Sequence, residues 1–284
     1  MLDDYAYLLG RIGTPPDFPP GGGFWAETVQ LVQVAQPDDD ARRRAQENGP
    51  SERPPQRVRN LRVEVGMDVL EAANLDGAGA WNVILGVGSN ELEPAGVEVF
   101  TAEHMFITGP PRSGRSTALL LVAAQLDRFR VPYVVIASNR SPFHGTSRGF
   151  GVFAEDELES ALVKLPTGSG CALLIDDCEG VSDVDSKLTD LLLDRTKNFR
   201  AFVAGSPDRL RRDSMHWSRN VRISRTGLLL NPGENDSMLL EVQIPKNNPV
   251  PVGQTRGWLV QNGTLAQVVQ LANPELDVTP EDDS

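Results

Sequence analysis

The sequence predicts an α/β fold: a mostly parallel central sheet flanked by helices, with β additions at both ends. Three observations predict it. Short apolar runs alternate with runs of helical period, each roughly 10 to 14 residues long, which is the pattern of βαβ units. The nine-residue run GPPRSGRST, residues 109–117, stands between the first such strand and its helix. A second apolar strand, in the run CALLIDD at residues 171–177, ends in two adjacent acids.

The elements follow in chain order. Residues 61–100 are rich in Val and Gly (VILGVG, GVEV) and read as an N-terminal β lead-in. Residues 103–108 (EHMFIT) form a short buried strand that ends at Gly109. Residues 117–130 place Leu119, Leu120, Ala123, Leu126 and Phe129 at helical spacing. Pro132 stops that helix, and residues 133–137 form the next strand. Residues 155–164 (EDELESALVK) form an amphipathic helix, residues 171–175 an apolar strand, and residues 185–197 a helix with Leu188, Leu191 and Leu192 on one face. Residues 200–204, 227–230, 239–244 and 258–260 supply further strands.

Composition limits the function. Of 284 residues, 40% are hydrophobic, enough for a sizeable core. Lys and Arg number 27 against 39 Asp and Glu, a net charge of −12. This argues against a general nucleic-acid or anionic-membrane binder, both of which need clustered positive charge. Two cysteines exclude a disulfide scaffold and fit a reducing compartment. Three scattered histidines are too few for a structural zinc site.

The predicted folded body is residues 61–274. Residues 38–60 are charged and Pro-rich and read as a linker. Residues 275–284 (ELDVTPEDDS) read as an acidic, disordered tail. Residues 1–37 are too few and too rich in Pro and Gly to fold alone. Yet QLVQVAQP at residues 30–37 matches QVVQLANP at residues 267–274 in five of eight positions. Each copy follows a glycine-aromatic cluster, Gly23-Phe24-Trp25 in one and Gly257-Trp258 in the other. The expectation is that residues 1–37 resemble the end of a preceding, homologous module, packed as an attached strand or extended arm.

The chemistry concentrates in two motifs. The run 109–117 has the spacing G-x-x-x-x-G-K-[ST] of a phosphate-binding loop, between strand and helix as that loop requires. Gly109 and Gly114 let the backbone curl so that successive N–H groups face an anion. Gly109, Ser113, Gly114, Arg115, Ser116 and Thr117 form the expected cofactor cradle, with the Ser116 hydroxyl on Mg²⁺. Arg115 stands where the pattern has lysine. It keeps the charge but is bulkier and planar, and Pro110 and Pro111 remove backbone donors, so nucleotide affinity and catalysis are expected to be reduced. The second motif, ALLIDD at residues 172–177, is a Walker B pattern. Asp176 would hold Mg²⁺. Asp177 occupies the water-polarising position, one methylene shorter than the usual glutamate. Glu179 lies out of register. Ser206, at the tip of the following strand, is a candidate γ-phosphate sensor, and Cys178 reads as a small packing residue. Together the motifs specify the fold as a RecA-like P-loop NTPase with ATP and Mg as cofactors, weakly bound or lost.

Nine Lys and Arg between residues 195 and 225 form a concentrated basic region in this acidic chain. An arginine finger, a nucleic-acid face, a protein-contact face and a solvated helix all fit it. The run SPDRLRRDSMHWSRNVRISRTGLLLNP at residues 206–232, followed by RGWLV, adds a specific signature. With the two motifs it resembles the FtsK/SpoIIIE-type ATPase domains, most of all the C-terminal ATPase modules of the EccC family of type VII secretion motors, over roughly residues 82–272. The resemblance implies a cytoplasmic module of a membrane-anchored motor that makes no membrane contact itself. It also implies tandem neighbouring ATPase modules as partners, and small secreted helical dimers bound through a C-terminal signal. The expected function is a terminal, degenerate module that recognises substrate or regulates the motor. An active ATP-hydrolysing module and a DNA translocase module are the alternatives.

Overall fold

A computed structural model describes residues 22–25, 30–33, 40, 43, 61, 63–76, 79–166, 170–233, 235–244 and 255–274. The chain divides into two units, residues 1–58 and 59–284. In the first unit, β1 (Gly22–Trp25) pairs antiparallel with β2 (Gln30–Gln33). The expected linker and acidic tail lie outside the described residues, apart from Asp40 and Arg43.

The second unit is built on one ten-stranded sheet. Its strands are β3 (Trp81–Gly88), β4 (Pro94–Val99), β5 (Met105–Thr108), β6 (Tyr133–Ile136), β7 (Val152–Phe153), β8 (Cys171–Ile175), β9 (Phe199–Gly205), β10 (Gly227–Leu230), β11 (Arg256–Gln261) and β12 (Thr264–Leu271). The order across the sheet is β4-β3-β12-β11-β10-β5-β9-β8-β6-β7. From β10 to β7 all pairings are parallel, and from β10 to β4 all are antiparallel. The β additions from the two ends of the unit therefore meet on one side of the sheet, where β12 pairs with β3.

The parallel strands β5, β6, β8, β9 and β10 are buried along their whole length, as a sheet covered on both faces requires, while the edge strand β7 is half-buried. Their side chains alternate between two cores. Tyr133, Val135, Ala172 and Leu174 join Trp81 under α1 (Arg115–Arg128). Val134, Ile136, Leu173 and Ile175 join the other core under α2 (Leu158–Lys164), α3 (Lys187–Leu193), α4 (Pro207–Arg212) and α5 (Arg219–Arg222).

Two expectations need correction. Residues 239–244 are not a strand: a 3-10 turn spans Asp236–Leu240, and its Leu239 and Leu240 plug the second core. The Asp236 carboxylate accepts the Gly233 N–H at 2.8 Å and nucleates the turn. Both neighbour positions of β10 are already filled, by β5 and β11. The helix expected over residues 185–197 is confined to α3. Asp183 caps its start through the N–H groups of Leu188 and Thr189 at 3.0 and 2.8 Å, and Asp194 turns inward to Thr196 at its end.

The repeated segment has a structural counterpart. In the first hairpin Gly23 pairs with Val32 and Phe24 with Leu31. In the β11–β12 hairpin Gly257 pairs with Val269 and Trp258 with Val268. Aligned by the sequence repeat, the two hairpins have the same register.

One buried histidine links helix and sheet. His104 Nε2 lies 2.9 Å from the Leu192 carbonyl at the end of α3, and Nδ1 accepts the Ala201 N–H of β9 at 3.1 Å. This bonding fixes the neutral Nε2–H tautomer, and burial lowers the pKa from 6.5 to about 4. The folded chain resists protonating His104 while the unfolded chain does not. Its stabilisation is therefore full above pH 6.5 and is lost as pH falls from 6.5 to 4, by about 3 kcal/mol. Urea midpoints should fall steeply across that window, and less steeply in His104→Gln.

Candidate functional site

The parallel strands point their C-terminal ends to one edge, and the chain reverses there after β5, β6, β8 and β9. β9 separates the loop strand β5 from the acid-bearing strand β8. The loop and the two acids thus face each other across the tip of β9, a crevice at the strands' carboxyl ends of the kind where ligands bind in open α/β sheets.

The loop is held open by its glycines. A Cβ on Gly109 would lie 2.5 Å from Ser113 Oγ and 2.6 Å from the Leu230 carbonyl oxygen. Gly114 has φ +105°, and a Cβ there would lie 2.9 Å from Thr255. It forms the N-cap of α1, whose first turn carries Arg115, Ser116 and Thr117. The earliest α-type bond of this helix runs from the Ala118 N–H to the Gly114 carbonyl, leaving the preceding N–H groups without helical acceptors. Ser113 is buried, and its hydroxyl has no partner.

Asp176 is fully buried. One carboxylate oxygen accepts the Ser141 hydroxyl at 2.6 Å, and the other has no partner. Burial raises its pKa, while the hydroxyls of Ser141 and Ser116 pull it down. Asp177 adopts the left-handed φ of +55°. Its Oδ1 accepts Arg115 Nη2 at 2.9 Å, and its Oδ2 accepts the Ser138 hydroxyl at 3.3 Å. The two charged side chains are 13% and 33% exposed. Arg115 Nη1 is buried without a partner.

The ion pair lines a cleft of about 570 Å³ that also contains Ser206, Glu155, Glu179 and Arg209. Of the expected site residues, Arg115, Asp177 and Ser206 line this cleft; Gly109, Ser113, Gly114, Ser116 and Thr117 lie on the loop and the first turn of α1, and Asp176 is buried next to Asp177. Thr117 is half-buried in the first turn of α1 and does not line the cleft.

No family model and no curated protein matches the sequence. Solved structures do. EccC of Thermomonospora curvata (ATPases 2 and 3), in complex with a signal sequence peptide, matches 92% of this chain at 19% identity and a TM-score of 0.58. EssC of Geobacillus thermodenitrificans (ATPases 2 and 3) matches 95% at 14% identity and a TM-score of 0.61. The fold is that of the EccC and EssC ATPase modules. The chain spans 54% and 59% of those two solved chains. The pCW3 conjugation coupling protein TcpA with ATPγS matches 75% at 12% identity, with a TM-score of 0.53 and 70% of its own chain covered.

Within this EccC-type fold, one acid that sequence reasoning set aside and one that it missed belong to the cleft. Glu179 is out of register along the chain, but it lies in the 3-10 turn Cys178–Gly180, and its carboxylate accepts the Ser206 N–H at 3.1 Å. Glu155 reaches the cleft from the loop before α2. Burial, with the charges of Asp177 and Glu179 beside it, raises its pKa. Local sequence carries no signal for Glu155, which is 21 and 22 residues from the two acids of β8 by its number. Cys178 is fully buried with its thiol pushed well above the usual range, in keeping with a packing role.

The basic region disperses in space. Arg200 is buried in the core. Arg211 pairs with Asp208 and Asp236, Lys197 with Asp194, and Arg225 with Glu241. Arg222 is half-buried over the Phe106 ring, and Arg209 lines the cleft.

Proposed function

We propose that this chain is the terminal, degenerate ATPase-like module of a type VII secretion motor of the EccC kind, which binds nucleotide weakly and serves substrate recognition or motor regulation. The observation that carries the reading is the Arg115–Asp177 ion pair. The loop's only cation at the lysine position is engaged by the acid at the water-polarising position. Both groups that would act on a terminal phosphate are thereby turned toward each other.

The residues still fit a nucleotide with its metal. Eight buried side-chain N or O atoms among the described residues lack a partner, and three of them, Ser113 Oγ, Arg115 Nη1 and Asp176 Oδ1, lie on the loop or the facing acid. Orphaned buried polar atoms cost free energy, and their clustering here supports a ligand that satisfies them. The N–H groups of residues 114–117 would hold phosphate, and Ser116 and Asp176 would hold Mg²⁺. A bound Mg·ATP would supply the phosphoanhydride. The loop would orient it, and Asp177 would hold Arg115 away from it.

The matching register of the two hairpins supports the reading of residues 1–37 as the end of a preceding homologous module, residues 38–60 as a linker and residues 61–274 as the module itself. The solved EccC and EssC chains are likewise described as paired ATPases 2 and 3. Neighbouring modules would be the first partners. The C-terminal signal of a small secreted helical dimer would be another, by analogy with the signal sequence peptide on EccC. The module would work on the cytoplasmic side; among the described residues no helix is long and apolar enough to cross a membrane. The active-ATPase alternative keeps one supporting observation, the Glu179 carboxylate at the tip of β9. The DNA alternative gains no support: Arg200 is buried, and Arg211, Lys197 and Arg225 each stand beside an acid at the surface.

Calorimetry with Mg·ATP tests the nucleotide part of the reading. The wild type should bind with a Kd of roughly 0.1–1 mM, about −4 to −5.5 kcal/mol. Ser116→Ala should weaken binding at least fivefold. No heat at several millimolar ligand, or a Ser116→Ala variant indistinguishable from wild type, would remove the site.

A further inference from the structure

We infer that Asp177 is a positioning residue that sets affinity by competing with the ligand's anion for Arg115, and that it does not serve as the group that polarises water. The inference rests on the nucleotide reading above and assigns the role of one residue within that site.

Three observations carry it. The first is geometric. Asp177 Oδ1 takes Arg115 Nη2 at 2.9 Å, and its second oxygen takes Ser138 Oγ at 3.3 Å, so both oxygens are occupied, one by the loop's Arg115 and the other from the segment that follows β6. A φ of +55° at a non-glycine residue is a sparsely populated conformation, and the residue that holds it is the one bonded to Arg115. The second is burial. Arg115 is 13% exposed and has one guanidinium nitrogen without a partner. A cation so placed is held by its acid, and an arriving anion can satisfy the free nitrogen only in competition with that acid. The third is charge balance. Arg115, Arg140 and Arg209 line the cleft together with Asp177, Glu155 and Glu179. An arriving polyphosphate meets a neutralised cleft, and the carboxylate it must displace is the one bonded to Arg115. A terminal phosphate carries up to two charges and three acceptor oxygens against one charge and two oxygens, so it can win that exchange, but at a loss of affinity.

Mutual dependence of Asp177 and Arg115 separates competition from simple repulsion. Mg·ATP is titrated calorimetrically into wild type, Asp177→Asn, Glu179→Gln, Arg115→Gln and the Arg115→Gln/Asp177→Asn double variant, with each thermal midpoint checked for folding. Asparagine keeps the shape of aspartate and removes its charge. Asp177→Asn should bind at least tenfold more tightly than wild type. Glu179→Gln, which removes an equal charge from the same cleft but no bond to Arg115, should tighten binding by a clearly smaller factor than Asp177→Asn does. In the Arg115→Gln background Asp177→Asn should likewise tighten binding by a clearly smaller factor, since there is no cation left to release. Equal or weaker binding by Asp177→Asn while wild type binds would overturn this role and leave the nucleotide site standing. Equal tightening with and without Arg115 would reduce the effect to general charge and overturn it too. Binding by none of the proteins would defeat the nucleotide reading and this inference with it.

Discussion

Arg200→Leu is expected to lower the unfolding free energy by about 3–5 kcal/mol. Arg200 belongs to β9, between the loop strand and the acid strand, and is buried. Its guanidinium carbon lies 3.9 Å from the centre of the Trp81 ring. Its N–H groups donate to the Val99 carbonyl at 2.9 Å, Asn198 Oδ1 at 2.8 Å, Thr101 Oγ1 at 3.2 Å and the Gly79 carbonyl. These acceptors come from the lead-in segment and from the residue before β9, so one side chain ties the lead-in to the parallel half of the sheet. Burial lowers its pKa to about 10, and it stays charged at neutral pH. Leucine fills part of the volume but takes the Arg200 donor from the carbonyl of buried Val99, at about 1–3 kcal/mol, and removes the cation–π contact. Lysine is not expected to rescue the loss, because it cannot reach several acceptors in one plane. Urea denaturation at pH 7 measures this, with the m-value unchanged if the native state keeps its compactness. A loss under 1 kcal/mol would contradict the role assigned to Arg200.

Arg200 also marks a limit of sequence reading. By its number it belongs to a run of cations that invites a functional interpretation, yet its neighbours in sequence point elsewhere and it alone is buried. Nothing local reveals that Trp81, over a hundred positions earlier, supplies the ring it stacks on. The same limit explains β12. Its repeat with residues 30–37 was visible, but its place between β11 and β3 depends on a pairing of Val269 with Gly88 that periodicity cannot encode. The leucines of residues 239–244 illustrate the converse: an apolar run signals burial, and a 3-10 turn buries Leu239 and Leu240 as well as a strand would.

What was legible is what local chemistry dictates. Buried parallel strands show as apolar runs, so β5, β6, β8, β9 and β10 fell within a residue or two of their expected bounds. Gly109 and Gly114 are required by close approach and by positive φ, which is why the loop could be located from spacing alone. Asp176 follows from its place at the end of an apolar strand. The partner of Arg115 did not follow. The two residues are 62 apart in sequence, and only the parallel order β5-β9-β8 brings the loop and the acid turn to the same edge.

That partnership makes Arg115→Lys the substitution with the largest expected effect on binding. The planar guanidinium reaches Asp177 through one nitrogen and leaves the other buried and unsatisfied. A lysine keeps the charge as a compact, rotatable point on a flexible stem. It is freer to leave Asp177 and fits between phosphate oxygens, where arginine demands a plane. Mg·ATP affinity should rise at least tenfold, about 1.4 kcal/mol or more. Titration of Mg·ATP into the wild type and Arg115→Lys side by side is the most direct test of the claim that this is a phosphate loop with a restrained cation. The account predicts weak binding by the wild type, with a Kd of roughly 0.1–1 mM, and binding at least tenfold tighter by Arg115→Lys. Micromolar binding by the wild type, equalled or weakened in Arg115→Lys, would contradict it and make Arg115 a working replacement for the missing lysine.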